Sequence, residues 1–225
     1  MTTALWASDG LADRLVAACG PSWRAYVDHA FVRRLGEGTL PLGAFRHYLK
    51  QDYLFLLHYA RAWALAVYKS STLAEMRKSN ASVKAILDRE TGLHLDFCRS
   101  WGLSEADVEA TPEDDATMAY TRYVLEKGMQ GDLLDLVVAL APCAMGYAEI
   151  GRRLAASDNS KNPYRAWIET YGSEDFAGVA RGVADEVDRL WKVRANEGRF
   201  DDLAKTFDRA TRLEAAFWQM GLDAP

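Results

Sequence analysis

The chain has 225 residues, of which 49% are apolar and 26% charged, with a formal net charge of −5. That length allows one large domain or two small ones with a sizeable core, and the acidic balance, with no basic block, argues against a nucleic-acid partner. Three cysteines, Cys19, Cys98 and Cys143, form no CxxC pair, so they suggest neither a disulfide framework nor a zinc ribbon and fit a reducing cytoplasm.

The first nine residues lack a basic region followed by an apolar core, so no signal peptide is expected. No run approaches the roughly 18 apolar residues of a membrane span, so no membrane partner is expected. The pattern is helical throughout, with no hairpin signal. Ser8 or Asp9 is placed to cap a first helix, which Gly20-Pro21 ends. Ser22 to Leu35 reads as a second helix, broken by Gly36-Glu37-Gly38-Thr39. Pro41 opens a long helix through Lys69, whose Phe45, Tyr48, Leu49, Tyr53, Leu56 and Ala60 recur at roughly helical period.

Ser71 or Thr72 starts a helix predicted to run to about Ser100, and Ser104-Glu105-Ala106-Asp107 reads as a short capped turn. Thr111-Pro112-Glu113-Asp114 combines a cap residue, a proline and acids, the signature of a helix start. That helix ends near Gly128 to Gly131. The next spans about Asp132 to Ala156 and carries Pro142. A polar loop from Ser157 to Asn162 follows, then a short helix opened by Pro163 and running to Tyr171. Ser173-Glu174-Asp175 caps another to about Asn196, and Phe200 to Leu222 forms the last. No linker or repeat divides these elements, and the short connections favour antiparallel neighbours. The expectation is one all-α domain over residues 1–225, a helical bundle.

Cys143 lies in the stretch Leu140-Ala141-Pro142-Cys143-Ala144-Met145-Gly146-Tyr147. Pro142 cannot donate a backbone hydrogen bond and crowds the preceding turn, so a break or kink is expected there. Amides freed at a break would favour a thiolate. Tyr147, four residues on, shares a helical face with Cys143. The alternative is a buried structural cysteine. Asp52 sits in an aromatic helix, and Tyr48, Asp52 and Phe55 share a face. Asp52 is either a partly exposed acid paired with Arg46 or Arg61, or a carboxylate that grips the polar edge of a stacked ring. Glu214 neighbours Leu213, Phe217 and Trp218. It is either a boundary acid bonded to Arg212 or Lys205, or a desolvated acid with its pKa raised towards neutrality. Tyr120 and Tyr171 carry weaker signals, since buried tyrosines are usually core. Glu90 and His94, four apart, could place two metal ligands on one face, but a di-iron site needs more acids and a second such pair. The bland alternative is a structural His94 bonded to Glu90.

Four stretches coincide in order: Phe45-Arg46-His47-Tyr48-Leu49-Lys50-Gln51-Asp52-Tyr53; Leu140-Ala141-Pro142-Cys143 with Tyr147 and Glu149-Ile150-Gly151; Trp167-Ile168-Glu169-Thr170-Tyr171-Gly172-Ser173-Glu174; and Glu214 before Phe217-Trp218. Together they resemble the TenA family, also called thiaminase II, over nearly the whole chain. The resemblance implies a haem-oxygenase-like helical fold and hydrolysis of a carbon–nitrogen bond at the methylene of a 4-amino-2-methylpyrimidine ring. The implied substrates are thiamin or 4-amino-5-aminomethyl-2-methylpyrimidine, and the product is the hydroxymethylpyrimidine of thiamin synthesis. By resemblance, Cys143 adds to the ring, Glu214 protonates a ring nitrogen, and Asp52 binds the exocyclic amine and adjacent nitrogen. Tyr120, Tyr147, Tyr171 and Phe55 line the site. No metal or organic cofactor is implied, and the assembly implied is a homotetramer. Phe55 stands where some members carry tyrosine. Ala144, Met145, Gly146 and Ala148 are smaller or less aromatic than the residues common there, which would widen the pocket for a larger leaving group. Two alternatives are a di-iron oxidase on the same fold, with Glu90 and His94 as ligands, and a non-catalytic pyrimidine-binding or regulatory protein.

Overall fold

The computed structural model describes residues 5–157, 160–194 and 197–224. Met1 to Ala4, Asp158 and Asn159 of the expected polar loop, and Asn196, the expected end of a helix, lie outside the described residues. Among the described residues there is no strand. The helices are α1 (Leu11–Ala18), α2 (Gly20–Val27), α3 (Ala30–Glu37), α4 (Leu42–Lys69), α5 (Leu73–Ala85), α6 (Thr91–Ser100), α7 (Glu105–Glu109), α8 (Asp115–Gln130), α9 (Leu133–Ala155), α10 (Arg165–Tyr171), α11 (Glu174–Arg194) and α12 (Phe200–Asp223). A single π-turn, Ile86–Glu90, joins α5 to α6, and a 3-10 turn, Glu197–Arg199, leads into α12.

Helix α9 is the axis of the bundle. Every residue from Leu136 to Ala148 is buried, which requires cover on all sides. That cover comes from α11, α12, α10, α8 and α4. Each fully enclosed leucine, valine, isoleucine or methionine there contributes about 1.5–3 kcal/mol. Contrary to expectation, α9 does have the length and hydropathy of a membrane span, but 89% of its most apolar window is buried inside the molecule. Its start is fixed by a capping box between Asp132 and Asp135. Arg199 bridges to both carboxylates at 2.9 and 2.8 Å and so ties the entry of α12 to the entry of α9.

The expected break at Pro142 is absent, for α9 runs through it. A proline inside a helix costs about 3 kcal/mol or more, and here the surrounding packing holds the helix. The Tyr26 and Tyr59 hydroxyls donate to the Pro142 and Leu140 carbonyls at 3.4 and 3.2 Å.

Several boundaries differ from the sequence expectation, each for a tertiary reason. Gly10, not Ser8 or Asp9, precedes α1, and the free Ala12 amide is taken by Asp188 of α11 at 2.9 Å. Gly20-Pro21 begins α2 instead of ending α1, because proline suits a first turn. The expected helix from Ser22 to Leu35 divides at Asp28-His29, where His29 Nδ1 accepts from the Phe31 amide at 3.2 Å and caps α3. Thr72 caps α5 as expected, but the run to Ser100 contains the π-turn. Asp114, not Thr111, precedes α8; buried Gln51 donates to the Pro112 carbonyl and accepts from the Asp114 amide, at 2.9 and 3.0 Å.

Candidate active site

Helix α4 supplies one wall of the site. Its 28 residues reach about 42 Å at 1.5 Å per residue, and Tyr48, Asp52, Phe55 and Tyr59 follow one another along one face. All four are buried. An isolated carboxylate would be costly there, and Asp52 is not isolated. Its Oδ2 accepts from the Tyr48 hydroxyl at 2.8 Å and lies 2.7 Å from His94 Nε2 of α6. The other ring nitrogen, Nδ1, faces the Glu90 carbonyl at 2.8 Å. Burial pulls the His94 pKa down, but the hydrogen bond and charge of Asp52 outweigh it and leave it raised. Tyr48 in turn accepts from Trp167 Nε1 at 3.2 Å and lies 3.2 Å from the Tyr147 hydroxyl. The network therefore crosses from α6 through α4 to α9 and α10.

Helices α8, α9 and α12 bring the second group together. The Tyr120 hydroxyl of α8 donates to Glu214 Oε1 of α12 at 2.8 Å. Burial lifts the Glu214 carboxyl, the Tyr120 bond lowers it, and the Asp52 charge raises it, to about 8 overall. Glu214 and Tyr59 are both close enough to Cys143 to act on its thiol electrostatically. Phe55 stacks on Tyr120 with ring centres 4.9 Å apart, and Tyr147 meets Tyr171 edge-on at 4.9 Å.

Cys143 and Tyr171 open onto a cavity of about 480 Å³, whose wall also includes Tyr59, Trp63, Glu90 and Ala144. Asp52, Glu214, Tyr120, Tyr147 and Phe55 are not on that wall; they stand behind it, linked through Cys143 and Tyr48. Of the small residues after Cys143, Ala144 alone borders the cavity. Gly146 instead admits the Tyr26 ring, which would lie 2.0 Å from an added Cβ.

All seven predicted site residues thus fall in one buried region. The expected partners differ. Arg46 lies over the Trp101 ring and Arg61 bonds to His58, so neither pairs with Asp52. Arg212 pairs with Asp208, and Lys205 with Asp202, so Glu214 has the desolvated setting. His94 meets the Glu90 backbone and not its carboxylate. The expected thiolate-favouring break does not exist; burial, then the charges of Glu214, Glu90 and Asp52, push the Cys143 thiol well above its usual range. Among the described residues no three His, Cys, Asp or Glu side chains converge as a metal site, and both His94 nitrogens already face protein oxygens. Tyr48, Tyr59 and Trp167 join the site without a role expected from sequence, and Glu90 and His94 belong to it through Tyr171 and Asp52 rather than as the paired metal ligands of the di-iron alternative. The four-residue spacing of Tyr48 and Asp52 was the available signal for the first. Nothing local linked His94 to Asp52, 42 positions away.

Comparison with known proteins agrees with this architecture. A protein of Haemophilus influenzae, described as uncharacterised, is 45% identical over 94% of this chain and 98% of its own length. An aminopyrimidine aminohydrolase of Halalkalibacterium halodurans is 35% identical over 89% of this chain and 90% of its own. The crystal structure of a TenA family transcription regulator from Silicibacter sp. TM1040 superposes with a TM-score of 0.90 at 46% identity, covering 95% of this chain and 96% of that one. A Shewanella denitrificans domain described as having a heme oxygenase-like fold matches at TM-score 0.68 and 15% identity, over 92% of this chain and 89% of that one, which speaks for the fold alone. The fold is all-α and haem-oxygenase-like. With the model of the TENA/THI-4/PQQC family matching residues 17–224, the chain belongs to that family.

Proposed function

We propose that this protein hydrolyses the carbon–nitrogen bond at the ring methylene of an aminopyrimidine, either 4-amino-5-aminomethyl-2-methylpyrimidine or thiamin, to give the hydroxymethylpyrimidine. One observation carries this: a cavity-lining thiol, Cys143, and a buried carboxyl, Glu214, act on each other in one site, with Glu214 held by the Tyr120 hydroxyl and raised by burial to about 8. The aminohydrolase relative supports the substrate class.

The chemistry follows from the ring. An amine on a methylene is a poor leaving group. Addition of Cys143 Sγ to the adjacent ring carbon interrupts aromaticity, so ring electrons can expel the amine and leave an exocyclic methylene. Glu214 gives its proton to the ring nitrogen and receives the thiol proton, so a thiol held neutral at rest becomes nucleophilic only as the ring is protonated. Asp52, held by His94 and Tyr48, accepts from the exocyclic amine and stabilises the positive charge that develops there. Water adds to the methylene, the sulfur leaves, and aromaticity returns. Tyr171 borders the cavity, and Phe55, Tyr120 and Tyr147 complete the aromatic surroundings behind it. Chromatographic detection of hydroxymethylpyrimidine from each substrate tests the proposal; release from neither sinks it.

A further inference from the structure

Glu90 is a titratable cavity-wall group that the chemistry above leaves without a task. It closes the π-turn Ile86–Glu90. Such turns are rare and occur frequently at functional sites. This one brings Glu90 to the cavity that Cys143 and Tyr171 share. The Tyr171 hydroxyl of α10 donates to Glu90 Oε1 at 3.2 Å. The other titratable or charged groups acting on Glu90 are His94 of α6, Asp52 and Tyr59 of α4, Cys143 of α9 and the adjacent Arg89. Burial is the largest influence; with the Asp52 charge it overcomes His94, Tyr171 and Arg89 and lifts the carboxyl to about 7. Acid and carboxylate forms then coexist at neutral pH, as a group that gives and regains a proton requires.

Glu214 and Glu90 approach Cys143 from different directions. Glu214 lies behind the sulfur, on the Tyr120 side, while Glu90 stands on the cavity wall with Tyr171. A ring seated between them would turn its nitrogen towards Glu214 and its methylene substituent towards the cavity wall that holds Glu90. Resting on the function proposed above, we propose that Glu90 is a second catalytic acid–base, which protonates the departing nitrogen and then deprotonates the incoming water. In that step the methylene carbon–nitrogen bond breaks and its electron pair goes to nitrogen, which takes the Glu90 proton and leaves as a neutral amine. The Glu90 carboxylate then takes a proton from the water whose oxygen bonds to the methylene. Glu90 ends as it began, and the sum is substrate plus water giving alcohol plus amine.

The leaving group decides the test. An aminomethyl nitrogen bound as the free amine needs a proton to depart as a neutral amine, whereas the thiazolium of thiamin departs as a neutral thiazole and needs none. The kcat/KM of Glu90→Gln should therefore fall at least about a hundredfold on the aminomethylpyrimidine and less than about fivefold on thiamin, since kcat/KM reports steps up to release of the first product. An anilinomethyl analogue, with a weakly basic leaving nitrogen, should show an intermediate loss. Glu90→Gln keeps the backbone carbonyl that holds His94, and near-ultraviolet circular dichroism checks that the packing is unchanged. If Glu90→Gln does not fold, Glu90→Asp, with its acid one methylene further away, should show the same selectivity at smaller size. Equal losses on all substrates, or none, in a folded variant would overturn the role of Glu90 while an active wild type keeps the hydrolase. A wild type inactive on all three overturns both.

Discussion

His94 Nε2 and Asp52 Oδ2 lie 2.7 Å apart with both side chains almost wholly buried. Removing one partner of such a pair strands the other in a poorly solvating interior, at a cost of about 3–5 kcal/mol. Asp52→Ala and His94→Ala should each destabilise on that scale. The double variant should be less destabilised than the sum by at least about 1 kcal/mol, because the second removal strands nothing. Urea unfolding of the four proteins measures the cycle; strict additivity would mean that the pair does not interact.

The raised pKa of Glu214 makes a signed prediction. In the unfolded chain the carboxyl ionises near 4.5, and in the folded protein near 8. Below about 4.5 both states hold the proton and the group costs nothing. As pH rises from about 4.5 to 8 only the unfolded state releases it, so folding loses stability, and above 8 the loss is constant. Glu214→Gln removes this slope. Its melting temperature should equal or trail the wild type at pH 5 and gain on it steadily to pH 8, by an amount worth a few kcal/mol. A difference independent of pH would show that Glu214 is ionised in the folded protein.

Activity should follow the same group. A Glu214 that must donate a proton gives a wild-type kcat/KM on thiamin, whose leaving group needs no proton, that falls on the alkaline side with an apparent pKa near 8. Glu214→Gln should lose at least about a hundredfold, as general acid–base groups typically contribute. A flat alkaline profile to pH 9.5 would remove the acid role from this residue.

Gly151 positions Tyr171. A Cβ added to Gly151 would stand 2.2 Å from the Tyr171 carbonyl group, which is backbone and cannot swing aside. Gly151→Ala must therefore push α10 from α9, costing about 1–3 kcal/mol as overpacking does, and it carries Tyr171 away from Glu90 and Tyr147. Melting temperature and turnover should both fall. Gly92→Ala, with open space at the added methyl, is the control expected to retain both.

The helical class was legible because the apolar periodicity of α4 and the apolar run of α9 are long and uninterrupted. Start signals were legible where the partner is local, as with Thr72 before α5 and Ser104 with Asp107. They misled where it is remote, as at Ala12, whose amide is met by Asp188. Pro142 misled for the opposite reason: a local rule for an open helix met packing on every side. In the site, Asp52, Cys143 and Glu214 stood out as polar groups in apolar surroundings. Of their partners, Tyr120 carried only a weak signal and His94 and Tyr59 none, since they reach the site only through the packing of α8, α6 and α4. The thiol charge was misjudged because three acids converge on Cys143 from three other elements.

The central claim is thiol-dependent hydrolysis, and it is tested most directly by measuring hydroxymethylpyrimidine release by wild type and Cys143→Ser from both the aminomethylpyrimidine and thiamin. The expected result is product from the wild type and a loss of at least about a hundredfold in a variant that melts at the wild-type temperature. A folded Cys143→Ser enzyme that releases product at the wild-type rate would contradict the account.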